Sequence, residues 1–439
     1  MTWPEAPTPV RRGGDHDVIG VGLGPFNLGL AALLAPVTEV DAVFFEAKPQ
    51  FSWHAGLLLD GARLQVPFLA DLVTFADPTS PYSFLNYLHC RQRLYRFYFY
   101  ERFHVPRQEY DAYCRWVAEQ LPSCRFGRRV VAVRPTEDER WSVLVAEEER
   151  LVEYQADAVV IGIGSRPSVP DCVVPHLGDT VFHSAGYLPH RDRVVAAPSV
   201  TVVGSGQSAA EVFADLLARR SAAGRLDWFT RSRGFLPMEY SKLGLEHFTP
   251  EYTAFFHRLP EHRRDALRSG QDLLYKGISS DTSALIFDTL YEASIDGADP
   301  DVGYRSACDL RDIERHGSGW QLTFHHLDEA VAFTHDTDVV VLATGYEPAT
   351  MPLDPATAEA VERDQRGRPV VGLDYRLRLA DRAKSTLFVQ NAELHTHGVG
   401  APDLGLGAHR NAVLVNALTG RGVYPVRDRN VFQSFGAPR

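Results

Sequence analysis

Apolar residues occur along the chain in short runs that end in glycine turns, a pattern that predicts buried strands of a parallel sheet. One run, Asp17–Val21, leads into the turn Gly22-Leu-Gly24-Pro25-Phe-Asn27, and an Ala/Leu-rich helical segment follows. In such a strand–turn–helix unit, backbone amides and the positive helix end point to one place, which suits the pyrophosphate of a dinucleotide. A single turn of this type is also compatible with an ordinary tight turn, so the interpretation depends on other parts of the chain.

The same pattern recurs near residue 200. Ser199–Val203 is an apolar strand, Gly204-Ser-Gly206-Gln207-Ser208-Ala209 is a glycine turn, and the residues up to Arg219 continue with helical spacing. Two such turns in the same context predict one chain with two dinucleotide sites. The expected fold is α/β, with two Rossmann-like dinucleotide-binding domains and a smaller, mainly helical substrate region.

The residues that end the following strands distinguish the two sites. Asp41–Glu46 is an apolar strand that ends in an acid, where a dinucleotide fold places the carboxylate that binds a ribose 2′-hydroxyl. Leu226–Thr230 instead runs into Arg231-Ser-Arg233, and guanidinium groups at this place suit the 2′-phosphate of NADPH. The first turn is then expected to hold the other dinucleotide, FAD. A surface glutamate at a strand end and a solvated basic turn are the simpler alternatives for Glu46 and Arg231.

The remaining pattern predicts how the chain is divided. A helix is expected over residues 106–121, antiparallel strands over 130–133 and 141–145, and a helix over 282–293. The buried strand 336–342 is expected to return the chain to the first domain, and proline-containing loops at 51–90 are expected to cover a ligand. The predicted units are a flexible leader (1–16), a FAD-binding domain (17–165 and 336–439), an NADPH-binding domain (166–235 and 301–335) and a substrate-binding or lid region (236–300).

Composition narrows the choice of partners. The chain has 439 residues, a net charge of -11 and 45% hydrophobic residues, which is typical of a soluble protein and argues against nucleic acid or an anionic membrane as partner. The five cysteines form no C-x-x-C pair and no cluster with histidine, so we expect no metal site and no disulfide framework, as in a reducing cytoplasm. No apolar run reaches the ~18 residues that a membrane span needs.

These residues together resemble the flavin-dependent N-hydroxylating monooxygenases, which hydroxylate the side-chain amine of lysine or ornithine, or a diamine, for hydroxamate siderophores. The resemblance covers nearly the whole chain and implies FAD in the first site, NADPH in the second, O2 as co-substrate and a homo-oligomer, either a dimer or a tetramer. In such enzymes the reduced flavin forms a C4a-hydroperoxide whose distal oxygen the amine attacks. The matching motifs are Gly22-x-Gly24-Pro25-x-Asn27-Leu28, Trp53-His54, Leu64-Gln65, Asp77-Pro-Thr-Ser80, Gly204-x-Gly206-Gln207-Ser208-Ala209, Ala343-Thr344-Gly345-Tyr346 and His397-Gly398.

The resemblance also implies roles for individual residues. Gln65 and His54 are the expected catalytic residues near the flavin ring, although a histidine beside Trp53 is equally compatible with a structural, hydrogen-bonded role. Arg107 is an expected contact to NADP+ and Arg231 the expected reader of its 2′-phosphate. The other expected cofactor contacts are Gly22, Gly24, Pro25, Asn27, Glu46, Trp53, Gly204, Gly206, Gln207, Ser208, Thr344, Gly345 and Leu404.

The substrate prediction depends on where this chain departs from the amino-acid hydroxylases. Those enzymes carry a lysine at the position of Ala70, which pairs with the substrate α-carboxylate, and the ornithine enzymes carry an asparagine at the position of Leu245. Because a buried carboxylate without a partner costs several kcal/mol, this pocket should reject amino acids and accept cadaverine or putrescine. Lys276 could instead compensate for Ala70, which would leave L-lysine or L-ornithine as the alternative substrate.

A diamine needs a carboxylate for its distal ammonium. Glu246, Asp281 and Asp71 are the expected residues, and the sequence does not rank them. The reacting amine must be neutral, yet at an ordinary pKa of ~10.4 only about one alkylamine in 10³ is deprotonated at pH 7. A desolvating pocket that lowers this pKa is therefore expected.

Three other functions are known for proteins with such dinucleotide sites. A two-dinucleotide disulfide reductase requires a redox C-x-x-C pair, which this chain lacks. A Baeyer–Villiger or sulfur-oxidising flavin monooxygenase would carry an F-x-G-x-x-x-H signature where this chain has Phe182-His-Ser-Ala-Gly-Tyr187. A FAD- and NADPH-binding protein without enzymatic activity is the remaining, non-enzymatic alternative.

Overall fold

The structure is a computed structural model that describes residues 10–220, 224–295, 297, 299–380 and 386–438. It confirms an α/β fold. Within these residues the strands are β1 (Arg11–Val21), β2 (Ala42–Glu46), β3 (Cys124–Phe126), β4 (Arg128–Pro135), β5 (Trp141–Glu147), β6 (Arg150–Ile161), β7 (Ser165–Pro167), β8 (Val181–His183), β9 (Ser199–Val203), β10 (Arg225–Phe229), β11 (Val302–Arg305), β12 (Cys308–His316), β13 (Gly319–His326), β14 (Val331–Thr337), β15 (Val339–Leu342), β16 (Tyr346–Pro348) and β17 (Leu387–Val389).

The helices include those expected around residues 106–121 and 282–293. They are α1 (Pro25–Leu34), α2 (Phe84–Cys90), α3 (Leu94–Tyr100), α4 (Arg107–Gln120), α5 (Tyr187–Ala196), α6 (Gln207–Arg219), α7 (Pro250–His257), α8 (Glu261–Ser269), α9 (Ser280–Ala293), α10 (Pro355–Ala360), α11 (Leu394–His397) and α12 (Gly407–Thr419).

The first sheet has the order β3-β2-β1-β6-β5-β4, and β17 also pairs with β6. The strands β3, β2, β1, β6 and β17 are parallel, whereas β4 and β5 form the predicted antiparallel part. Helix α1 is almost wholly buried and packs against α12. Their approach requires Gly29, because a Cβ atom there would lie 2.7 Å from both the Leu72 carbonyl oxygen and Asn411 Nδ2. The glycine turn of the first unit therefore lies at the carboxyl edge of a buried parallel sheet.

The second sheet is parallel, with the order β11-β10-β9-β15-β8. Strand β15 pairs with β9, so residues 339–342 belong to the second domain and not to the FAD-binding domain that was predicted to resume at residue 336. The three antiparallel strands β12, β13 and β14 cover this sheet, with the rings of Phe229 and Phe324 stacked 4.6 Å apart. An apolar strand that ends in a glycine turn has the same local pattern in either sheet, which explains the error.

Two short antiparallel strands, β7 and β16, connect the domains. The amide of Ser168 donates to the carbonyl oxygen of Gly345 at 2.9 Å, His183 Nε2 lies 3.0 Å from the same oxygen, and Thr344 Oγ1 donates to the carbonyl oxygen of Ser168. Thr344 and Gly345, predicted as cofactor contacts, thus hold together the two chain segments that cross between the domains.

The segment 236–300 is largely helical, as predicted, and lies against both domains. Helix α9 packs on α6 of the second domain, whereas α7 and α8 pack on α11 of the first. The predicted leader is partly wrong: residues 1–9 lie outside the described residues, but Arg11–His16 extend β1 and pair with residues 152–156 of β6. A polar stretch can form a strand at a sheet end, where its side chains stay in water. No helix in the described part of the chain is long and apolar enough to cross a membrane.

Candidate active site

The first glycine turn has the geometry that a pyrophosphate requires. Gly22 has a φ of +81°, and a Cβ atom there would lie 2.8 Å from the carbonyl oxygen of Gly162. Gly24 is the N-cap of α1 and faces open space, because a Cβ atom on it would meet nothing within 4 Å. Pro25, at the start of the helix, lacks an amide hydrogen where helices leave one unpaired. The remaining first-turn amides are free to bind an anion, so the turn fits FAD.

Glu46 reaches this turn from the end of β2. Its Oε2 accepts a hydrogen bond from the amide of Leu23 at 2.8 Å, and Oε1 accepts one from the amide of Lys48 at 2.9 Å. The side chain is half-buried. Glu46 and the first glycine turn were predicted to bind the ribose and the pyrophosphate of one dinucleotide. The structure places them in direct contact.

The side chain of Asn27, a predicted cofactor contact, makes its hydrogen bonds to the protein. Its side chain is fully buried, and Nδ2 donates to the carbonyl oxygens of Val21, Gly22 and Val160 at 3.3, 2.7 and 3.3 Å. Its Oδ1 accepts a hydrogen bond from Gln390 Nε2 at 2.8 Å. Asn27 therefore fixes the shape of the glycine turn. The sequence motif indicated that an asparagine is needed at this position. It did not indicate whether the side chain binds the protein or the cofactor.

Trp53, His54 and Tyr346 form an aromatic wall. The His54 ring contacts the edges of Trp53 and Tyr346 at centroid distances of 4.5 and 6.0 Å, and its φ of +51° is unusual for a residue other than glycine. His54 is accessible to solvent although protein surrounds it, as expected for the wall of a cleft. Burial, together with the positive charges of Arg107 and Lys48, lowers the pKa of His54 to about 4. Its imidazole is therefore neutral near pH 7 and cannot act there as a cationic acid.

Gln65 has an unused donor. Its Nε2 is buried and makes no hydrogen bond to any described residue, and the same is true of the Tyr346 hydroxyl. Buried donors of this kind cost free energy unless an acceptor is present. A flavin, with its ring carbonyls and nitrogens, supplies such acceptors, so both side chains fit this cofactor.

The second glycine turn lies between β9 and α6. Gly204 has a φ of +143°, and a Cβ atom there would lie 2.1 Å from the carbonyl oxygen of Ala343. Ser205 Oγ lies 2.8 Å from Ser232 Oγ, which places the turn that carries Arg231 beside this glycine turn. Arg231 is exposed and makes no ion pair with a described residue. A free guanidinium at this place fits the 2′-phosphate of NADPH.

The side chain of Gln207, expected at the cofactor, is committed to the protein. Its Nε2 donates to Glu211 Oε1 at 3.1 Å and to Thr282 Oγ1 at 2.8 Å, and its Oε1 accepts a hydrogen bond from the amide of Ser279 at 2.7 Å. The helical segment is thereby anchored to the second glycine turn. A Cβ atom on Gly206 would lie 3.6 Å from the carbonyl oxygen of Lys276, an ordinary van der Waals contact. Ser208 is half-buried in the next position of α6.

Arg107 is also engaged. Its guanidinium makes two hydrogen bonds to the Glu211 carboxylate, at 2.9 and 2.8 Å, and one to the carbonyl oxygen of Leu57 at 2.8 Å. The side chains of Arg107 and Glu211 are only 11% and 5% exposed. The bond joins α4 of the first domain to α6 of the second, so in this structure Arg107 binds a protein carboxylate instead of a phosphate. Sequence reasoning missed Glu211, although it follows Gln207 by one helical turn on the same face of α6.

Ala70, predicted to contact the substrate, lies beside the turn before the last helix, which was predicted to meet the flavin. Ala70 is buried, and a Cβ atom on Gly405 would lie 3.9 Å from the Cβ of Ala70. Leu404, a predicted flavin contact, begins this single 3-10 turn (Leu404–Leu406). Leu245 lies in another short turn before α7 and is 41% exposed, so much of its side chain does not pack on protein.

Two of the three carboxylates expected to bind the distal ammonium already have partners. Asp71 is buried and accepts hydrogen bonds from the amides of Val73, Thr74 and Phe84 and from Thr74 Oγ1. Glu246 accepts hydrogen bonds from the amides of Phe432 and Gln433 at 3.3 and 2.8 Å, and so holds the C-terminal tail.

Comparison with known proteins identifies the family. The model of the L-lysine 6-monooxygenase/L-ornithine 5-monooxygenase family matches residues 15–348. The chain belongs to this family. It is therefore an N-hydroxylating flavin monooxygenase that uses FAD, NADPH and O2, as the resemblance implied.

Individual relatives align over almost the whole monooxygenase. The chain is 47% identical to the rhizobactin siderophore biosynthesis protein RhbE of Rhizobium meliloti, covering 97% of this chain and 96% of the relative. It is 39% identical to a putrescine N-hydroxylase of Shewanella oneidensis, covering 96% and 84%. The crystal structure of DfoA, the cadaverine monooxygenase of the desferrioxamine pathway of Erwinia amylovora, was solved with FAD bound. It aligns with a TM-score of 0.91 at 40% identity, covering 97% of this chain and 99% of DfoA.

Proposed function

We propose that this monooxygenase hydroxylates one amine of an aliphatic diamine, cadaverine or putrescine, for the biosynthesis of a hydroxamate siderophore. The observation that carries the proposal is Ala70, a buried methyl group at the position where the amino-acid hydroxylases are expected to carry a lysine. An amino-acid substrate would bury its α-carboxylate there without a cation. That arrangement costs several kcal/mol, whereas a diamine has no carboxylate to bury.

The alternative of rescue by Lys276 finds little support. Its Nζ lies 2.8 Å from Asp272 Oδ1, and both side chains are more than half exposed. It also lies over the ring of Tyr275, with Nζ 5.2 Å from the centroid. An ammonium that is paired in water gains little from leaving this position for a substrate carboxylate.

The names of the relatives point the same way. Putrescine and cadaverine are the amines named for two of the relatives described above, and rhizobactin and desferrioxamine are named as products of their pathways. L-lysine or L-ornithine stays the second candidate because the family model is described by those two activities.

The side chains of the site suit the chemistry. Once bound, the flavin supplies the activation of O2 with electrons from NADPH. Gln65 has a buried donor without a partner among the described residues, and the neutral His54 adds no positive charge to the aromatic wall. Removal of water from around the reacting amine disfavours its charged form, so a closed site lowers the amine pKa and raises the reactive neutral fraction. The same rings exclude water from the oxygen chemistry.

The decisive experiment measures hydroxylamine formation and NADPH oxidation with cadaverine, putrescine, L-lysine and L-ornithine side by side. We expect a diamine to give the highest kcat/KM and the best coupling of NADPH oxidation to product. Higher kcat/KM with lysine or ornithine would contradict the proposal. The variant Lys276→Ala is the matched control and should leave the preference unchanged, because its ammonium is paired with Asp272.

Assembly and location stay predictions. We expect a homo-oligomer, dimer or tetramer, in the cytoplasm, and light scattering of the purified holoenzyme would test the first of these.

A further inference from the structure

The turn that opens the last helix carries a carboxylate that the sequence did not single out. Asp403 is the N-cap of the turn Leu404–Leu406, and its Oδ1 accepts a hydrogen bond from the amide of Gly405 at 2.7 Å. Gly405 is the residue that lies against Ala70. We infer that Asp403 binds the distal ammonium of the diamine, the end that is not hydroxylated. This inference rests on the proposed diamine substrate.

Asp403 lacks a partner of opposite charge. Within the described residues, no Lys, Arg or His nitrogen lies within 4.0 Å of its carboxylate, whereas thirty other such pairs occur in the same part of the chain. The cation whose charge acts on it, Arg410, is itself buried and committed: Nη1 lies 3.2 Å from Glu393 Oε1, and Nη2 donates to the carbonyl oxygen of Ala401. A ligand cation would therefore find Asp403 uncompensated.

The carboxylate is within reach of a ligand yet deep in the protein. Its side chain is partly accessible to solvent although protein surrounds the carboxyl group, as on the wall of a cleft. Burial raises the pKa of Asp403 to about 6, against the opposing effects of the Gly405 and Leu406 amides and of Arg410. A carboxylate desolvated in this way interacts more strongly with an added ammonium than an exposed one does.

The charge of Asp403 acts on two tyrosines from other elements. It contributes to the raised pKa of Tyr110, on α4, and to that of Tyr240, which is about 12, although burial is the larger cause for both. Both phenols therefore lie within electrostatic range of the Asp403 carboxylate. Aromatic rings beside a carboxylate make a good site for an alkylammonium, because their faces attract a cation.

Asp281 provides a matched control. It is the remaining carboxylate of the three that the sequence suggested, it also acts on Tyr240, and it lies exposed in the first turn of α9. Its exposure to water weakens any pairing with an ammonium. Asp403→Asn and Asp281→Asn both replace a carboxylate by an amide of the same size. The two sites differ in how deeply the carboxylate is buried.

The test compares both variants with wild-type holoenzyme, using cadaverine or putrescine and the amino alcohol of equal length, which lacks the second ammonium. Losing a hydrogen bond between charged groups should raise KM for the diamine by about ten- to a hundredfold in Asp403→Asn. KM for the amino alcohol should change little, which also shows that the variant is folded. Asp281→Asn should behave as wild type. An unchanged diamine KM in Asp403→Asn, or a larger loss in Asp281→Asn, would overturn the inference.

The pH profile gives a second readout. The reacting amine must lose a proton, so log kcat/KM rises with a slope of one below its pKa. In wild type, protonation of Asp403 below about pH 6 should increase the slope of log kcat/KM against pH from one to two. In Asp403→Asn the slope should stay at one. The other charged or titratable groups whose electrostatic interaction with Asp403 matters are Arg410, Tyr110 and Tyr240. The raised pKa values of Tyr110 and Tyr240 keep both phenols neutral in this range.

Failure of this inference differs from failure of the proposed function. If wild type prefers lysine or ornithine, the diamine function itself is wrong. If wild type prefers a diamine and calorimetric diamine binding by the holoenzyme is the same in Asp403→Asn, only the role of Asp403 is wrong. The variant Asp403→Glu keeps the charge and should recover part of the lost affinity.

Discussion

The buried ion pair between Arg107 and Glu211 gives a quantitative prediction about the domain interface. The guanidinium makes two hydrogen bonds to the carboxylate, and both side chains are almost inaccessible. Removing one partner of such a pair leaves a buried charge and costs about 3–5 kcal/mol. Glu211→Met leaves Arg107 with only the Leu57 carbonyl oxygen, and Arg107→Met leaves Glu211 with only Gln207.

The expected shift in melting temperature follows from the chain length. At about 2.1 cal/mol/K per residue, the 439 residues have an unfolding entropy of about 0.9 kcal/mol/K. A loss of about 3–5 kcal/mol therefore lowers Tm by about 3–6 °C if the chain unfolds as one unit. The double variant should lose clearly less than the sum of the two single losses, because no charge is left buried.

The assay is thermal unfolding of the holoenzyme, followed by circular dichroism and by flavin fluorescence. The exposed pair Arg166–Glu347, in the strands that connect the domains, is the control: its side chains are 63% and 46% exposed, so Arg166→Met should shift Tm by less than about 1 °C. If Arg107→Met lowers Tm no more than Arg166→Met does, or if the single losses simply add, the reasoning about burial is refuted.

Three further predictions concern single residues. Arg231→Ala should lower kcat/KM for NADPH by about tenfold or more and leave that for NADH unchanged, because it removes a charge-assisted contact to the 2′-phosphate. Arg233→Ala should change neither, since Arg233 pairs with Asp328. Equal losses with both coenzymes would contradict this role. Asn27→Leu should lower the free energy of unfolding by about 1–3 kcal/mol for each buried carbonyl oxygen left unpaired and should weaken FAD retention, measured by denaturant unfolding and by flavin content. A stable variant that only loses FAD would assign Asn27 to the cofactor after all. His54 has a pKa of about 4 when folded, below its usual 6.5, so the unfolded chain binds the extra proton and the stability from this group falls as pH drops from about 6.5 to about 4. His54→Asn should flatten the pH dependence of Tm in that window, and an unaltered slope would show that His54 is not desolvated.

Local sequence pattern predicted the parts of the fold that depend on neighbours along the chain. The two strand–turn–helix units, the helix that begins at Arg107 and the meeting of Glu46 with the first glycine turn all follow from residue types at short spacings. The positive φ values of Gly22 and Gly204 also follow from the local sequence, because the glycine turn itself requires them.

The contacts that the sequence did not predict join distant segments. Arg107 and Glu211 are separated by more than 100 positions, and the same basic residue would suit a phosphate or a carboxylate equally well. Gln207 and Glu246 likewise carry side chains that suit a ligand, yet they bind the backbone of Ser279 and of Phe432. Which partner such a group takes depends on packing that local periodicity does not contain.

The substrate end of the site shows how charges at neighbouring positions depend on one another. Ala70 and Asp403 both contact Gly405, so a neutral methyl group and a carboxylate without an ion-pair partner among the described residues lie on either side of the same residue. An amino-acid head group would bring its own carboxylate to that surface and be repelled, whereas an ammonium would restore neutrality. A lysine at position 70 would pair with Asp403 before any substrate arrived. Under the proposed diamine function, the absence of a cation at position 70 and the presence of an acid at position 403 act together, so we expect neither Ala70→Lys nor Asp403→Asn alone to convert the enzyme into an amino-acid hydroxylase.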